Sequence, residues 1–228
     1  NSMKRSKITI LLAIVLGMTF HSCLDLEPQD QLGGKNMWTS VNDYKQFANT
    51  FYSWTRDFSS VVYDGTHSDK RSDLITYQSY NEFSRGINSI PSSDANYTDN
   101  YKHIRRTNLL LQNAEAYAKP EDIKQYIGEA YFFRAYSYFD LLQLYGDVII
   151  TKKPLDITDP EMKVKRNDRS EVVDLIIDDL NHAVENLPAF KELTTEEEGR
   201  ISKEGAQAFL SRVALYLSLI HISEPTRP

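Results

Sequence analysis

The sequence predicts an all-α fold of helical hairpins, interrupted by one long irregular loop segment. Three observations predict it. Apolar residues recur at i, i+3, i+4 and i+7 over several long stretches, the spacing that places them on one helical face. Each stretch is bracketed by Ser, Asp, Gly or Pro where a helix should start or stop. One pattern also occurs twice. Ala130-Tyr131-Phe132-x-Arg134-Ala135-x-x-Tyr138-Phe139 aligns with Ala208-Phe209-Leu210-x-Arg212-Val213-x-x-Tyr216-Leu217, 78 residues later. Each copy follows a helix with an Ala near its end, at Asn113-Ala114 and His182-Ala183. Two copies of a hairpin that cannot bury its apolar face alone should stack as a short solenoid.

The elements follow in chain order. Lys4, Arg5 and Lys7 precede a 13-residue apolar run, Ile8 to Phe20. That run is too short to span a bilayer and fits the apolar region of a signal peptide. Asn1 and Ser2 precede the plausible start, Met3. Phe20-His21-Ser22-Cys23 then resembles a bacterial lipobox, although Phe20 and His21 depart from its usual residues. Residues 1–22 are therefore expected to be a lipoprotein signal peptide and Cys23 the lipidated residue. Cys23 is the only Cys in the chain, so it has no internal disulfide partner. Residues 23–37 are polar, with Pro28 and Gly33-Gly34, and read as a tether.

The first helix is expected at Ser40, where Ser40-x-x-Asp43 forms a capping box ahead of Val41, Tyr44, Phe47, Ala48, Phe51 and Tyr52. Residues 55–96 lack a long period and are rich in Ser, Asp, Asn and Tyr, so they read as loop. A second helix is expected over 97–117, with Tyr101, Ile104, Leu109, Leu111 and Ala114 on its pattern. Pro120 opens the next, over 121–145, which Gly146 should end in a left-handed cap. This helix carries seven aromatics: Tyr131, Phe132, Phe133, Tyr136, Tyr138, Phe139 and Tyr145. At helical spacing they read as core rather than as a binding face. Arg134 and Arg212 are expected to pair with a carboxylate or carbonyl while their stems lie on apolar surface. Residues 147–167, with Pro154 and Pro160, form a connector. Asp168-Arg169-Ser170-Glu171 starts a helix that Pro188 stops, and Ser202 caps a last helix to about Leu217.

Charge narrows the function. The chain has 26 basic and 32 acidic residues, a net charge of −6; losing residues 1–22 removes three basic residues and leaves −9. Nucleic acid is a poor partner, because its phosphates require Lys and Arg to displace counterions. No HExxH, GxSxG or phosphate-binding loop occurs. The five His are scattered, and His67, near Asp64 and Asp69, reads as a solvated loop residue. A glycosidase needs two carboxylates at a set separation. Pairs such as Asp69/Asp73 or Glu82/Asp94 can be drawn, but no motif singles them out.

Five stretches in order resemble a known family. They are Cys23-x-Asp25-Leu26-x-Pro28; MWTSVNDYKQFANTFYS (37–53); GEAYFFRAYSYFDLLQLYGDV (128–148); NDRSEVVDLIIDDLNHAVENLP (167–188); and GRISKEGAQAFLSRVALYL (199–217). Residues 23–217 are similar to the N-terminal half of SusD/RagB-type proteins, the outer-membrane nutrient-binding lipoproteins of Bacteroidetes. One departure is Ile149, where the family usually has Pro after Gly-Asp-Val. The resemblance implies an α-helical fold with tetratricopeptide-like hairpins, here an N-terminal helical domain over 38–217. It implies a cell-surface lipoprotein of the outer membrane that binds glycans, or sometimes peptides, and passes them to a SusC-type TonB-dependent transporter. No catalysis, cofactor or nucleotide is implied. Some members bind calcium, but no DxDxDG loop is seen. The alternatives are a surface lipoprotein enzyme acting on glycans and a peptide-binding helical-repeat scaffold.

Pyranose rings expose apolar C–H faces, so Tyr or Trp platforms flanked by polar groups suit them. The candidate ligand contacts lie in the irregular segment: Trp54, Tyr63, Tyr77, Tyr80 and Tyr97, with Asn81, Arg85 and Asp73 as polar partners. Trp38, just before the first helix, reads as structural. Family members run to about twice this length and draw further site residues from their C-terminal half. Residues 217–228 (LSLIHISEPTRP) break the helical pattern and match the translation of a transposase sequencing adapter. Residues 218–228 are therefore expected to be an artefact in which His221, Glu224 and Arg227 carry no function.

Overall fold

Capping and periodicity generate five α-helices among the described residues: α1 Val41–Asn49, α2 Ala95–Glu115, α3 Lys124–Tyr145, α4 Arg169–Asn186 and α5 Lys203–Ser223. The structure, a computed structural model, describes residues 37–56, 86–87, 89–155 and 158–223. From Trp38 onward the chain forms one compact unit. The described residues contain no strand, only an isolated antiparallel bridge between Val148 and Asn167. No described helix is long and apolar enough to cross a membrane.

The helix ends follow the local chemistry. Ser40 caps α1: its Oγ accepts from the Asp43 amide, and the Asp43 carboxylate accepts from the Ser40 amide at 2.8 Å. α1 tightens into a 3₁₀ turn, Thr50–Trp54, which keeps Phe51 buried and Tyr52 half-buried. α2 begins two residues earlier than the periodicity predicts, because the Asp94 carboxylate accepts from the Asn96 amide at 2.9 Å. Pro120 opens a 3₁₀ turn, Pro120–Ile123, and the α-helix proper starts only at Lys124. Gly146 ends α3 with φ +68°, but its ψ of −105° lies outside the expected left-handed region. The chain turns there directly into the extended connector that pairs Val148 with Asn167. Glu171 accepts from the Asp168 amide at the start of α4, and the Ser202 hydroxyl accepts from Gly205 at the start of α5.

Consecutive helices pack antiparallel. Across α3 and α4, Tyr131 stacks on His182 and Arg134 meets Asp179; across α2 and α3, Tyr97 meets Tyr145 and Asn108 meets Arg134. The repeated helices α3 and α5 pack in parallel at nearly the repeat offset. Phe132 meets Phe209, and Phe139 meets Tyr216. The internal repeat of the sequence is thus a stack of two hairpins, α2/α3 and α4/α5.

α3 is the central element, which accounts for its seven aromatics. Phe132, Phe133, Tyr138 and Phe139 are buried, and Tyr131, Tyr136 and Tyr145 are half-buried. Phe133 packs on Phe51, Tyr52 and Trp54; Phe132, Tyr136 and Phe139 surround Phe209. A helix that is apolar nearly all round is one buried by several neighbours. Trp38 joins this core against Tyr44 and Phe47, with a φ of +83° that is unusual for an aromatic residue.

Candidate functional site

One cleft on the described surface is built from two short segments with different periodicities. Tyr97, Thr98, Tyr101, Lys102 and Arg105 share one face of the N-terminal half of α2. Opposite them runs the connector after α3, which contributes alternate residues Ile149, Thr151, Lys153 and Leu155. Alternation is what extended backbone does with its side chains. Together they enclose a cleft of about 490 Å³.

Tyrosine hydroxyls and one amide lock the connector in place. The Tyr101 hydroxyl donates to the Ile149 carbonyl and accepts from the Ile149 amide, both at 2.9 Å. The Tyr138 hydroxyl accepts from the Thr151 amide at 2.8 Å. Asn108 donates to the carbonyls of Thr151 at 2.9 Å and Lys153 at 3.3 Å. Asn108 is itself held, because its Oδ1 accepts from Arg134 Nη1 at 2.8 Å. Arg134 forms a two-pronged pair with Asp179, at 2.8 and 2.6 Å. Burial opposes the Arg134 charge, but the Asp179 carboxylate more than offsets this and holds its pKa above the usual guanidinium value. The expected partner for Arg134 is therefore a carboxylate. The pair anchors the back of the cleft wall and does not face the opening.

Within the cleft, Tyr97 is half-buried and packs on Tyr101 (4.8 Å between ring centres) and edge-on to Tyr145 (5.2 Å). Tyr145 donates to Asp94 at 2.6 Å, which helps hold the Asp94 carboxyl below the usual carboxylate range. Burial pushes the Tyr101 hydroxyl up, so it stays protonated and works as a clamp. Lys102 bonds Asp99 at 2.8 Å, and Arg105 Nε donates to the Leu155 carbonyl at 3.2 Å.

A smaller, polar cleft of about 180 Å³ lies on the other side of α2. Trp54, Asn96, Asp99, Asn100, His103, Tyr136 and Asp140 line it. One face of the Trp54 ring is taken by His103, stacked at 4.1 Å. Burial lowers the His103 pKa to about 4, Asp99 and Asp140 opposing this while Arg106 and Lys102 assist it. The ring is neutral near pH 7. Arg56 closes one edge by pairing with Asp140.

Trp54 and Tyr97, the two predicted ligand contacts among the described residues, thus line different clefts. Tyr63, Asp73, Tyr77, Tyr80, Asn81, Arg85 and Cys23 lie outside the described residues. The sequence reading places Tyr101 on the pattern of its helix, notes Ile149 only as a departure from the family, and does not single out Thr98, Lys102, Arg105, Thr151, Lys153 or Leu155. Two signals were available: the i, i+4, i+8 spacing of Tyr97, Tyr101 and Arg105, and the alternation after Gly146. No group of three or more metal-ligating side chains converges among the described residues.

Residues 24–215 match the model of a SusD-like family described as starch-binding and associating with the outer membrane. A SusD-like protein of Formosa agariphila is 28% identical over 235 residues; the match covers 94% of this chain and 43% of that one. The chain thus spans less than half the length of the curated relatives it matches. Among solved structures, a SusD-like protein of Bacteroides fragilis superposes with a TM-score of 0.63 at 25% identity, covering 83% of this chain and 37% of that one. A laminarin-binding SusD-like protein superposes with a TM-score of 0.53 at 30% identity, covering 59% and 29% respectively.

Proposed function

The chain belongs to the SusD-like family, and from that premise we propose that it is a non-catalytic, surface-exposed glycan-binding lipoprotein. It captures oligosaccharides at the outer membrane and hands them to a SusC-type TonB-dependent transporter. Residues 1–22 direct export, lipid on Cys23 anchors the chain, residues 23–37 tether it, and residues 38–217 form the binding domain. Each acyl chain contributes about 0.8 kcal/mol per buried CH₂, so several together hold a protein at a membrane without a spanning helix.

The observation that carries this reading is the Tyr97 cleft. It is mostly apolar, bordered by tyrosine rings and a few polar groups, and backed by buried hydrogen bonds. Sugar recognition uses that combination: an aromatic face for the C–H surface of a pyranose, and fixed polar groups to orient its hydroxyls. Trp54, half-covered by His103, offers a smaller platform on the opposite side of α2.

Calorimetric titration of oligosaccharides into the protein tests the reading. Saturable binding is expected, weakened by Tyr97→Ala, with no new reducing ends after prolonged incubation. Hydrolysis of the oligosaccharide would instead make the protein an enzyme. Cys23→Ala should move the protein from the membrane fraction to the soluble fraction, and co-purification with a TonB-dependent transporter from detergent extracts should accompany the anchored form.

A further inference from the structure

The glycan-binding reading leaves the class of sugar open. Resting on that reading, we infer that the Tyr97 cleft takes neutral sugars carrying O-acyl esters, such as acetylated glycans. The cleft is short of hydrogen-bond acceptors. Its described lining holds no carboxylate and no carboxamide side chain. The carbonyl of each connector residue in that lining is already an acceptor. Ile149 accepts from Tyr101 at 2.9 Å, Thr151 from Asn108 at 2.9 Å and from Tyr138 at 3.3 Å, Lys153 from Asn108 at 3.3 Å, and Leu155 from Arg105 at 3.2 Å. The Tyr101 hydroxyl is used in both directions by Ile149, and the Thr98 hydroxyl donates to the Asp94 carbonyl at 2.9 Å.

The remaining polar side chains only donate. Lys102 is bonded to Asp99, and Arg105 and Lys153 are likewise engaged within the protein. An ammonium or guanidinium has more than one N–H, so each can donate again, but none can accept. A free sugar hydroxyl has a proton to place as well as lone pairs, and burying it without an acceptor is costly. An ester in its position has no proton to place. Its carbonyl oxygen accepts from the donors on either wall. Its methyl group adds apolar surface where Ile149 and Leu155, both half-buried, face the tyrosine rings. Acylation thus turns the groups this cleft serves poorly into groups it serves well.

The test is calorimetry on the full chain with matched probes. O-acetylated xylo-oligosaccharides and O-acetylated manno-oligosaccharides are each compared with the same preparation after mild alkali, which removes the esters and leaves the glycosidic bonds. Laminarin oligosaccharides serve as a probe that never carries esters. At least one acetylated probe should bind about tenfold tighter than its de-esterified partner and than laminarin, the effect of one extra methyl in an apolar pocket. Its affinity should change by less than about twofold between ~50 mM and ~300 mM salt, because the ligand is uncharged. The I149T/L155T variant, with its helix content checked by circular dichroism, should lose the preference. Y97A should weaken esterified and bare probes alike. A bare probe binding as tightly as every esterified one, a steep fall with salt, or a preference that survives I149T/L155T would overturn the assignment and leave the glycan reading intact. No binding of any probe would overturn both.

Discussion

Arg134 shows how one side chain couples the core to the candidate site. It is 5% exposed and ties Asp179 on α4 to Asn108 on α2, whose amide holds the cleft wall at Thr151 and Lys153. Removing the cation strands a carboxylate away from water. Arg134→Met should therefore cost about 3–5 kcal/mol in urea unfolding, and adding Asp179→Leu should recover much of it. If the double variant is no more stable than the single one, the cost lies elsewhere than in the unpaired charge.

His103 supplies a second residue-level test. Its folded pKa, about 4, lies below the ordinary value of 6.5. Between those values the unfolded chain takes up a proton that the folded chain refuses. The contribution of His103 is thus fully present above about pH 6.5 and is lost as pH falls toward 4. The urea midpoint should drop over that window by more in the wild type than in His103→Gln. Equal slopes would mean that the stacked ring titrates normally. His103 is half-buried, so the difference will be smaller than full burial would produce.

At the scale of the element, the α3–α4 contact depends on a glycine. A Cβ at Gly128 would stand 3.0 Å from Leu187 Cγ and 3.1 Å from the Leu187 amide nitrogen. The backbone there is pinned by its bond to Ala183 and by Pro188 just after it. Gly128→Ala gains about 1 kcal/mol of helix propensity. Overpacking against a fixed backbone costs about 1–3 kcal/mol, so the net effect should be a lower thermal midpoint. A higher midpoint would show that the end of α4 can yield.

Helix starts were legible from sequence because their causes are local. Ser40 with Asp43, and Asp168 with Glu171, act within a single turn. The seven aromatics of α3 were also legible as core, since their spacing leaves no polar face. The polar interior was not. Asn108 and Thr107 are fully buried on a helix whose pattern points to Leu109 and Leu111, both only half-buried. Burial of these polar groups depends on partners 26 to 45 residues away, or on a carbonyl one turn back, and hydrophobic periodicity does not register such satisfaction. The site divides in the same way. Tyr97 was recognisable as an aromatic in a polar stretch, whereas Lys153 gains meaning only once the connector lies opposite α2.

At the scale of the molecule, the two hairpins are joined by the packing of α3 on α4 and, between the repeated helices α3 and α5, through Phe209, which meets Phe132, Tyr136 and Phe139. Solenoids derive stability from such neighbour interfaces. Phe209→Ala should cost about 2–3 kcal/mol, less than for a fully buried ring because Phe209 is half-buried. Hydrogen exchange should then accelerate in α5 well before α2. Uniform acceleration would mean that the hairpins unfold as one unit.

The sequence by itself determined the helix order, most helix boundaries, the internal repeat and the family. All of these rest on caps, periods and motifs encoded within a few turns. Only the tertiary structure decided that α2 carries one cleft lined by Tyr97 and Tyr101 and another lined by Trp54 and His103, that Trp54 and Tyr97 part company, and that a buried Asp179–Arg134–Asn108 relay backs the first cleft. The reason is range. The cleft closes where Tyr101 meets Ile149, 48 residues along the chain, and its back wall is braced by a carboxylate 45 residues beyond Arg134. Contacts at that separation leave no period in a linear sequence and come into being only when the hairpins pack.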